Sequence, residues 1–271
     1  MDAAVHQPAQ AKRGKPVNGA GAGSESSIVS PQTLAPNMAT VSVAEGYNRW
    51  AAAYDSDPNP LLAREERYIL PLLPNLRNKN VLDLACGTGR WLEKLLVLKP
   101  RTAVGVDLSA AMLSIAKGKT HAAGHLAQAD GLVLPFRSDA FDFAMYSFGA
   151  SHMLDIRRLA RELARVLKRG ADLFLTDVNA DAHARGWRTG FRDKHSAAQI
   201  ESCPCTAEEI IRAFYSASFE CVSHVPLCLG EAERPIFERA GKLHRFADAC
   251  RVPAILFCHF RRRPELKSQA C

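Results

Sequence analysis

Two glycines that follow an apolar run are the residues of this chain with the clearest chemical purpose. Asp83, Gly87 and Gly89 lie within VLDLACGTGR, where the pattern of a strand ends in a short turn and then in a helix. Glycine lets the backbone turn sharply and lets a ligand approach the main chain closely. In an open parallel sheet such a turn lies at the carboxyl end of a strand, where ligands bind. We therefore predict that this turn binds a ligand.

The residues around the turn bear on which ligand it binds. A dinucleotide fingerprint has a third glycine where this chain has Leu92. The negative charge of Asp83 suits an ammonium group better than a pyrophosphate. S-adenosylmethionine carries an ammonium and a sulfonium group and no phosphate, so the charges favour it as the cofactor. An NAD-dependent oxidoreductase is the alternative that Leu92 and Asp83 disfavour.

Two more acidic residues end predicted strands. Asp107 follows Gly89 by 18 residues, and a carboxylate at that point can accept hydrogen bonds from both ribose hydroxyls, in NAD enzymes as well. Asp130 precedes Gly131 and can accept a hydrogen bond from an adenine amino group, although Asp-Gly after a strand is also an ordinary turn. Met112 lies one turn into the next helix, where it can pack on adenine or fill the core.

Four runs in order resemble one enzyme family: VLDLACGTGR, GVDLSAAML, QADGLVLPF and FDFAMYSFGASHMLD. They resemble the class I S-adenosylmethionine-dependent methyltransferases, and within these the type 11 subgroup, over about residues 47–179. The resemblance implies an α/β fold with a Rossmann-like, seven-stranded, mostly parallel sheet and helices on both faces. It also places the last strand antiparallel, beside the fifth.

The resemblance further implies a set of cofactor contacts. The set is Asp83, Ala85, Gly87, Gly89, Asp107, Leu108, Met112, Asp130, Gly131 and Ser147. The first four residues would flank the methionine part of the cofactor, where Ala85 replaces the first glycine of the family pattern. Asp107 would hold the ribose, Asp130 and Gly131 would border the adenine, and the region of Ser147 would line the methyl end. No metal site is expected.

The acceptor side offers one candidate base and one candidate lid. His152 follows the fourth predicted strand and is the candidate catalytic base, the alternatives being that it lines the pocket or caps the next helix. The segment 180–204 is predicted to be an acceptor-side lid. Its cations and aromatics would suit a planar anionic acceptor, and a solvated loop with aromatic anchors is an equal alternative. They are Arg185, Arg188, Arg192, Lys194, Trp187 and Phe191.

Composition and pattern set the organisation of the chain. Of its 271 residues 47% are hydrophobic, which predicts one sizeable globular domain with appendages. The resemblance makes this a class I methyltransferase domain at 41–265, and composition predicts a disordered tail at 1–40 and a short tail at 266–271. A helix near 41–54 would pack its aromatics on the body or act as a flap over the cofactor. Another helix is predicted over 155–168, with Gly170 at its end. Eight scattered cysteines and no apolar span favour a reduced, cytoplasmic location.

The sequence leaves the acceptor open. We expect methylation of an oxygen, nitrogen or carbon of a small molecule, either anionic or aromatic. The alternatives are carboxyl methylation of a carrier-bound acid and a non-catalytic module that binds S-adenosylmethionine. A membrane partner is not expected, and residues 146–149 lack the N-P-P-Y-like tetrapeptide of enzymes that methylate bases of nucleic acid. The oligomeric state is open.

Overall fold

A computed structural model describes residues 28–29, 38–56, 58–119, 125–192 and 196–264. The strands are β1 (Ile28–Val29), β2 (Ala39–Val41), β3 (Asn80–Leu84), β4 (Thr102–Asp107), β5 (Leu126–Gln128), β6 (Phe141–Ser147), β7 (Leu167–Val178), β8 (Arg188–Arg192), β9 (Ala197–Ile200), β10 (Phe219–Cys228) and β11 (Pro253–Arg262). The α-helices are α1 (Val43–Trp50), α2 (Pro60–Ile69), α3 (Arg90–Val97), α4 (Ala110–Gly118), α5 (Ile156–Val166), α6 (Ala180–Ala184), α7 (Ala207–Ser216), α8 (Arg234–Arg239) and α9 (Phe246–Cys250).

Seven of these strands form the central sheet, in the order β10-β11-β7-β6-β3-β4-β5. The strand β11 runs antiparallel to both of its neighbours, and the remaining pairs are parallel. The predicted fold class is therefore confirmed, including an antiparallel last strand beside the fifth strand, β7. In the register Leu84 is opposite both Val106 and Tyr146, so the carboxyl ends of β3, β4 and β6 lie side by side.

The sheet separates two hydrophobic layers. Leu82 and Leu84 face the layer that contains α5 and α7. Val81 faces the opposite layer, with α2 and α3. Because side chains alternate between the two faces of a strand, Asp83 shares the face of Val81. The carboxylate of Asp83 is thus directed to the side of the sheet that α2 and α3 cover.

One predicted helix boundary was wrong. The helix α5 ends at Val166 and β7 begins at the next residue, whereas the sequence predicted a helix to 168. Gly170 has a φ of +78° inside β7, beside a shift in the pairing of β6 with β7. Its conformational freedom therefore serves an irregularity in a strand rather than the end of a helix.

A small second sheet covers α1. It has the order β1-β8-β9-β2, and so joins two segments that are far apart in sequence. Segment 180–204 contains α6, β8 and β9, and Phe191 of β8 stacks on Trp50 of α1 with ring centroids 6.0 Å apart. Within 1–40 the structure describes residues 28–29 and 38–40, and of these 28–29 and 39–40 lie in strands of this sheet. The rest of the predicted N-terminal tail, and all of 266–271, lie outside the described residues.

Candidate functional site

A cavity of about 300 Å³ lies at the carboxyl ends of β3, β4 and β6. We call it the main cavity. Nine of the eleven predicted site residues line it: Ala85, Gly87, Asp107, Leu108, Met112, Asp130, Gly131, Ser147 and His152. The structure brings these nine together from the ends of four strands, β3, β4, β5 and β6, and from the segments that follow them. It does not bring Asp83 and Gly89 to the cavity wall.

The turn after β3 is built from left-handed residues. Ala85 and Gly87 each have a φ of +54° and Gly89 has a φ of +84°. The amide of Gly89 donates to the carbonyl of Cys86 at 2.8 Å, so this glycine closes the turn and caps α3. A Cβ added to Gly87 would meet no atom within 4 Å. The space beside Gly87 is therefore free to hold a ligand.

Asp107 connects this turn to the start of α4. One carboxylate oxygen accepts a hydrogen bond from the amide of Gly87 at 2.8 Å, and the other accepts from the amide of Ser109 at 2.8 Å. Burial raises the pKa of Asp107, and the backbone amides counter part of that shift. Each oxygen of a carboxylate can accept more than one hydrogen bond. Asp107 can thus hold the turn and still accept from a ligand hydroxyl.

Asp83 lies behind the turn, where it is almost completely buried. Its Oδ2 atom has no hydrogen-bond partner among the described residues. Burial raises the pKa of Asp83 to about 8, although the nearby guanidinium of Arg90 opposes the shift. At pH 7 this carboxyl is therefore mostly protonated. Asp83 accepts a hydrogen bond from the backbone of Leu92 in α3 and does not line the main cavity in this structure.

Glu65 is a site residue that sequence reasoning missed. It is fully buried on α2 and accepts hydrogen bonds from Arg90, Trp91, Ser147 and Thr176. Ser147 donates to Glu65 at 2.7 Å and accepts from Arg90 at 3.0 Å. Glu65 therefore fixes the Ser147 hydroxyl at the wall of the main cavity. The only sequence signal was a carboxylate in the amphipathic pattern of α2.

Helix α1 and the turn after it form a roof over the main cavity. Three hydrogen bonds hold the roof: Tyr47 to His152 at 3.0 Å, Ser109 to Asn48 at 2.6 Å, and Thr88 to Asp55 at 2.7 Å. Tyr47 and Tyr54 line the cavity, and Trp50 packs on Phe191. The helix therefore packs its aromatics on the body, as in one of its two predicted roles, and also lines the main cavity. A flap over the cofactor stays a prediction.

His152 has a defined orientation. Its Nδ1 atom lies 2.8 Å from the carbonyl oxygen of Glu201, and its Nε2 atom lies 3.0 Å from the hydroxyl of Tyr47. A carbonyl only accepts, so Nδ1 carries the proton and Nε2 of the neutral ring accepts from Tyr47. His152 does not cap α5, because Asp155 accepts from the amide of Arg158 at 2.8 Å.

A smaller cavity of about 30 Å³ adjoins the main one, and we call it the side cavity. Tyr47, Tyr54 and Phe148 line both cavities. The remaining lining residues are Trp50, Asn59, Leu61, Leu62, Asp177, Val178 and Thr189. Phe148 has a φ of +52°, which costs energy for a side chain of this size and is typical of functional positions. The side cavity is thus mostly apolar, with one buried carboxylate.

The family model of a methyltransferase domain matches residues 82–175. This range contains all nine predicted residues that line the main cavity. Residues 82–175 are a class I methyltransferase domain. Proteins of this family use S-adenosylmethionine, as the resemblance implied. The described residues contain no helix that is long and apolar enough to cross a membrane.

Curated relatives match this methyltransferase domain in part. The chain is 32% identical over 160 residues to a ubiquinone/menaquinone biosynthesis C-methyltransferase of Pectobacterium atrosepticum, a match that covers 55% of this chain and 63% of that protein. It is 39% identical over 106 residues to a demethylmenaquinone methyltransferase of Thermus thermophilus, covering 36% and 47%. The chain thus spans less than two thirds of these relatives.

A solved structure supports the fold of the methyltransferase domain. An S-adenosylmethionine-dependent methyltransferase from Mesorhizobium loti superposes with a TM-score of 0.58 at 19% identity, covering 75% of this chain and 100% of that chain. At this identity the likeness shows the fold alone, since one fold hosts many reactions.

The main cavity of the methyltransferase domain fits S-adenosylmethionine on its own features. The open space at Gly87 admits a ligand against the backbone, and Asp107 has acceptor capacity left for ribose hydroxyls. Leu108 and Met112 supply apolar surface for an adenine ring.

The described cations that were predicted to bind an anionic acceptor do not line either cavity. The guanidinium of Arg188 donates to the carbonyls of His183 at 2.5 Å and Trp187 at 2.8 Å. Trp187 and Phe191 are buried in the core, as in the alternative of aromatic anchors. Arg185 is exposed. The side chain of Arg192 and the whole of Lys194 lie outside the described part.

Proposed function

We propose that this chain is an S-adenosylmethionine-dependent methyltransferase that acts on a small-molecule acceptor. One observation carries the proposal. The open face of Gly87 and the carboxylate of Asp107 share the main cavity and are joined by a hydrogen bond of 2.8 Å. This arrangement offers a close backbone approach for the amino acid part of the cofactor and an acceptor for its ribose.

The residues of the chain would divide the work as follows. Gly87 and Asp107 would bind the cofactor, and Asp130 with Gly131 would border its adenine. When bound, S-adenosylmethionine supplies a methyl group that is already activated on sulfur. The protein then has to align an acceptor and exclude water. The roof of α1 would exclude water, and Ser147, held by Glu65 and Arg90, would fix the polar edge of the methyl end.

We further propose a phenolic acceptor, with a reduced naphthoquinone as the first to test. The relatives are named for the methylation of quinone precursors. Tyr47, Tyr54 and Phe148 also give the main cavity an aromatic wall, which suits a planar ring. We also propose a cytoplasmic location for the chain, as the sequence predicted.

The experiment is transfer of a labelled methyl group from S-adenosylmethionine to a reduced naphthoquinone that has a free ring position. We expect a labelled product with the natural chain and none with Gly87→Val. Label in the product would support both parts of the proposal. Binding of S-adenosylhomocysteine without transfer to any of a panel of phenols, amines and acids would favour the non-catalytic binding module instead.

A further inference from the structure

Tyr47 stands between the two cavities. Its side chain lines both of them and packs edge-on against His152, with ring centroids 5.4 Å apart. His152 and Ser147 line the main cavity with Tyr47. A phenol that lies in the main cavity near Ser147 would therefore have the side chains of Tyr47 and His152 in the surrounding wall.

The hydroxyl of Tyr47 belongs to a directed chain of hydrogen bonds. It donates to Nε2 of His152 at 3.0 Å, and Nδ1 of His152 donates to the carbonyl of Glu201 at 2.8 Å. Because the Tyr47 hydroxyl donates its hydrogen to His152, the lone pairs of its oxygen can still accept a hydrogen bond from a third group. The chain thus runs from the cavity wall to an imidazole that can take up a proton.

We propose that Tyr47 is a catalytic residue that accepts the proton of a phenolic acceptor while it passes its own proton to His152. In this step the O–H bond of the acceptor breaks and a new O–H bond forms on Tyr47. The original O–H bond of Tyr47 breaks and an N–H bond forms at Nε2. The products are a phenolate and an imidazolium, so charge is conserved and no further reactant is needed. The inference rests on the proposed function.

The ionisable groups around Tyr47 and His152 bear on how the relay works. Burial is the main cause that raises the pKa of Tyr47 well above its ordinary value, and Tyr54, Asp177 and Asp107 add to the shift. Tyr47 therefore stays protonated at rest and acts by exchange, not as a standing phenolate. Burial raises the pKa of Asp177, and the nearby His152 and the hydrogen bonds from Ser151 oppose the shift. Asp177 is thus an acidic side chain that lies close to the imidazole.

Asp177 is itself held firmly. Its oxygens accept from the amide and the hydroxyl of Ser151, the latter at 2.9 Å, and from the amide of Val178 at 2.6 Å. Ser151 immediately precedes His152, so the same short turn positions the imidazole and the neighbouring Asp177 carboxyl. In this relay His152 receives the proton of Tyr47 and does not touch the acceptor. His152 is therefore a positioning residue that acts through Tyr47.

The test uses the ionisation of a bound phenol and needs no turnover. 1-Naphthol is titrated into the protein saturated with S-adenosylhomocysteine, and the absorbance of naphtholate is read at a pH where free naphthol is neutral. We expect a naphtholate band with the natural chain and at least a tenfold smaller band with Tyr47→Phe or His152→Gln. Tyr68→Phe is the matched control, because Tyr68 packs on Phe257 and lines neither cavity.

The outcomes separate this inference from the proposed function. Equal naphtholate bands in the natural chain and in Tyr47→Phe would overturn the relay. Naphthol that binds only in its neutral form, or does not bind although S-adenosylhomocysteine does, would also overturn it and leave the cofactor assignment standing. Failure of S-adenosylhomocysteine itself to bind would instead overturn the proposed function. Calorimetric titration with S-adenosylhomocysteine checks that each variant is folded.

Discussion

The buried carboxylate of Glu65 is predicted to be a large contributor to the stability of the site. Glu65→Gln keeps the size of the side chain but removes its charge and one of its two acceptor oxygens. The lost oxygen leaves donors of Arg90, Trp91, Ser147 and Thr176 to compete for one acceptor. The charge of Arg90, whose side chain is 18% exposed, also loses its buried partner.

The size of this effect follows from burial. Removing one partner of a buried, hydrogen-bonded ion pair costs about 3–5 kcal/mol, since the other charge stays buried. Glu66 provides a matched control on the same helix. It lies 3.9 Å from Arg90 and 3.1 Å from Lys94 and is one third exposed. Exposed pairs contribute less than about 1 kcal/mol, so Glu66→Gln should change little.

The assay is urea unfolding of both variants at neutral pH, followed by titration with S-adenosylhomocysteine. We expect the free energy of unfolding to fall by about 3–5 kcal/mol in Glu65→Gln and by under about 1 kcal/mol in Glu66→Gln. The folded fraction of Glu65→Gln should also bind the ligand more weakly, because Ser147 loses its anchor. Equal stabilities of the two variants would refute the reasoning.

Three further predictions concern the main cavity. Asp107→Ala should weaken binding of S-adenosylhomocysteine by about 1–3 kcal/mol in calorimetric titration, and unchanged affinity would remove the ribose assignment. Gly87→Val should abolish that binding, because the side chain enters open space at a φ of +54°, at a folding cost of about 1–2 kcal/mol. Normal affinity in this variant would show that the turn is misplaced. Burial raises the pKa of Asp83 to about 8 from 3.8, so the folded chain binds this proton more tightly than the unfolded chain. The stability of the natural chain relative to Asp83→Asn should therefore fall between about pH 4 and pH 8, by up to about 1.4 kcal/mol per pH unit. A relative stability that does not change with pH in urea unfolding would contradict it.

The spacing of motifs along the sequence was sufficient to predict that Gly87 and Asp107 lie together at one site. Gly87 and Asp107 end neighbouring strands of a βαβ unit, and parallel pairing alone brings such ends to one edge. The same alternation of strands and helices predicted a parallel sheet with helices on both faces, and the antiparallel last strand followed from the family resemblance. Asp83 shows the limit of this reasoning. Side chains alternate between the two faces of β3, and the side chain of Asp83 lies on the face away from the main cavity.

The roof and the side cavity depend on contacts that no local pattern encodes. Tyr47 and His152 are separated by 105 residues, and Glu65 and Thr176 by 111 residues. The small sheet likewise pairs β2 with β9, although each strand has four residues or fewer. Strands of this length carry little periodicity, so segment 180–204 resembled a loop. The boundary of α5 was missed because a glycine with positive φ can end a helix or sit at an irregularity in a strand. Only the pairing of β7 with β6 shows that Gly170 does the second.

The central claim is that the main cavity binds S-adenosylmethionine, and calorimetric titration of the purified chain with S-adenosylhomocysteine tests it most directly. NAD is titrated in parallel, and Gly87→Val serves as the blocked control. We predict micromolar binding of S-adenosylhomocysteine, about −8 kcal/mol, no heat from NAD, and no binding in the variant. Binding of NAD alone, or equal binding of S-adenosylhomocysteine to Gly87→Val, would contradict the assignment of this cavity.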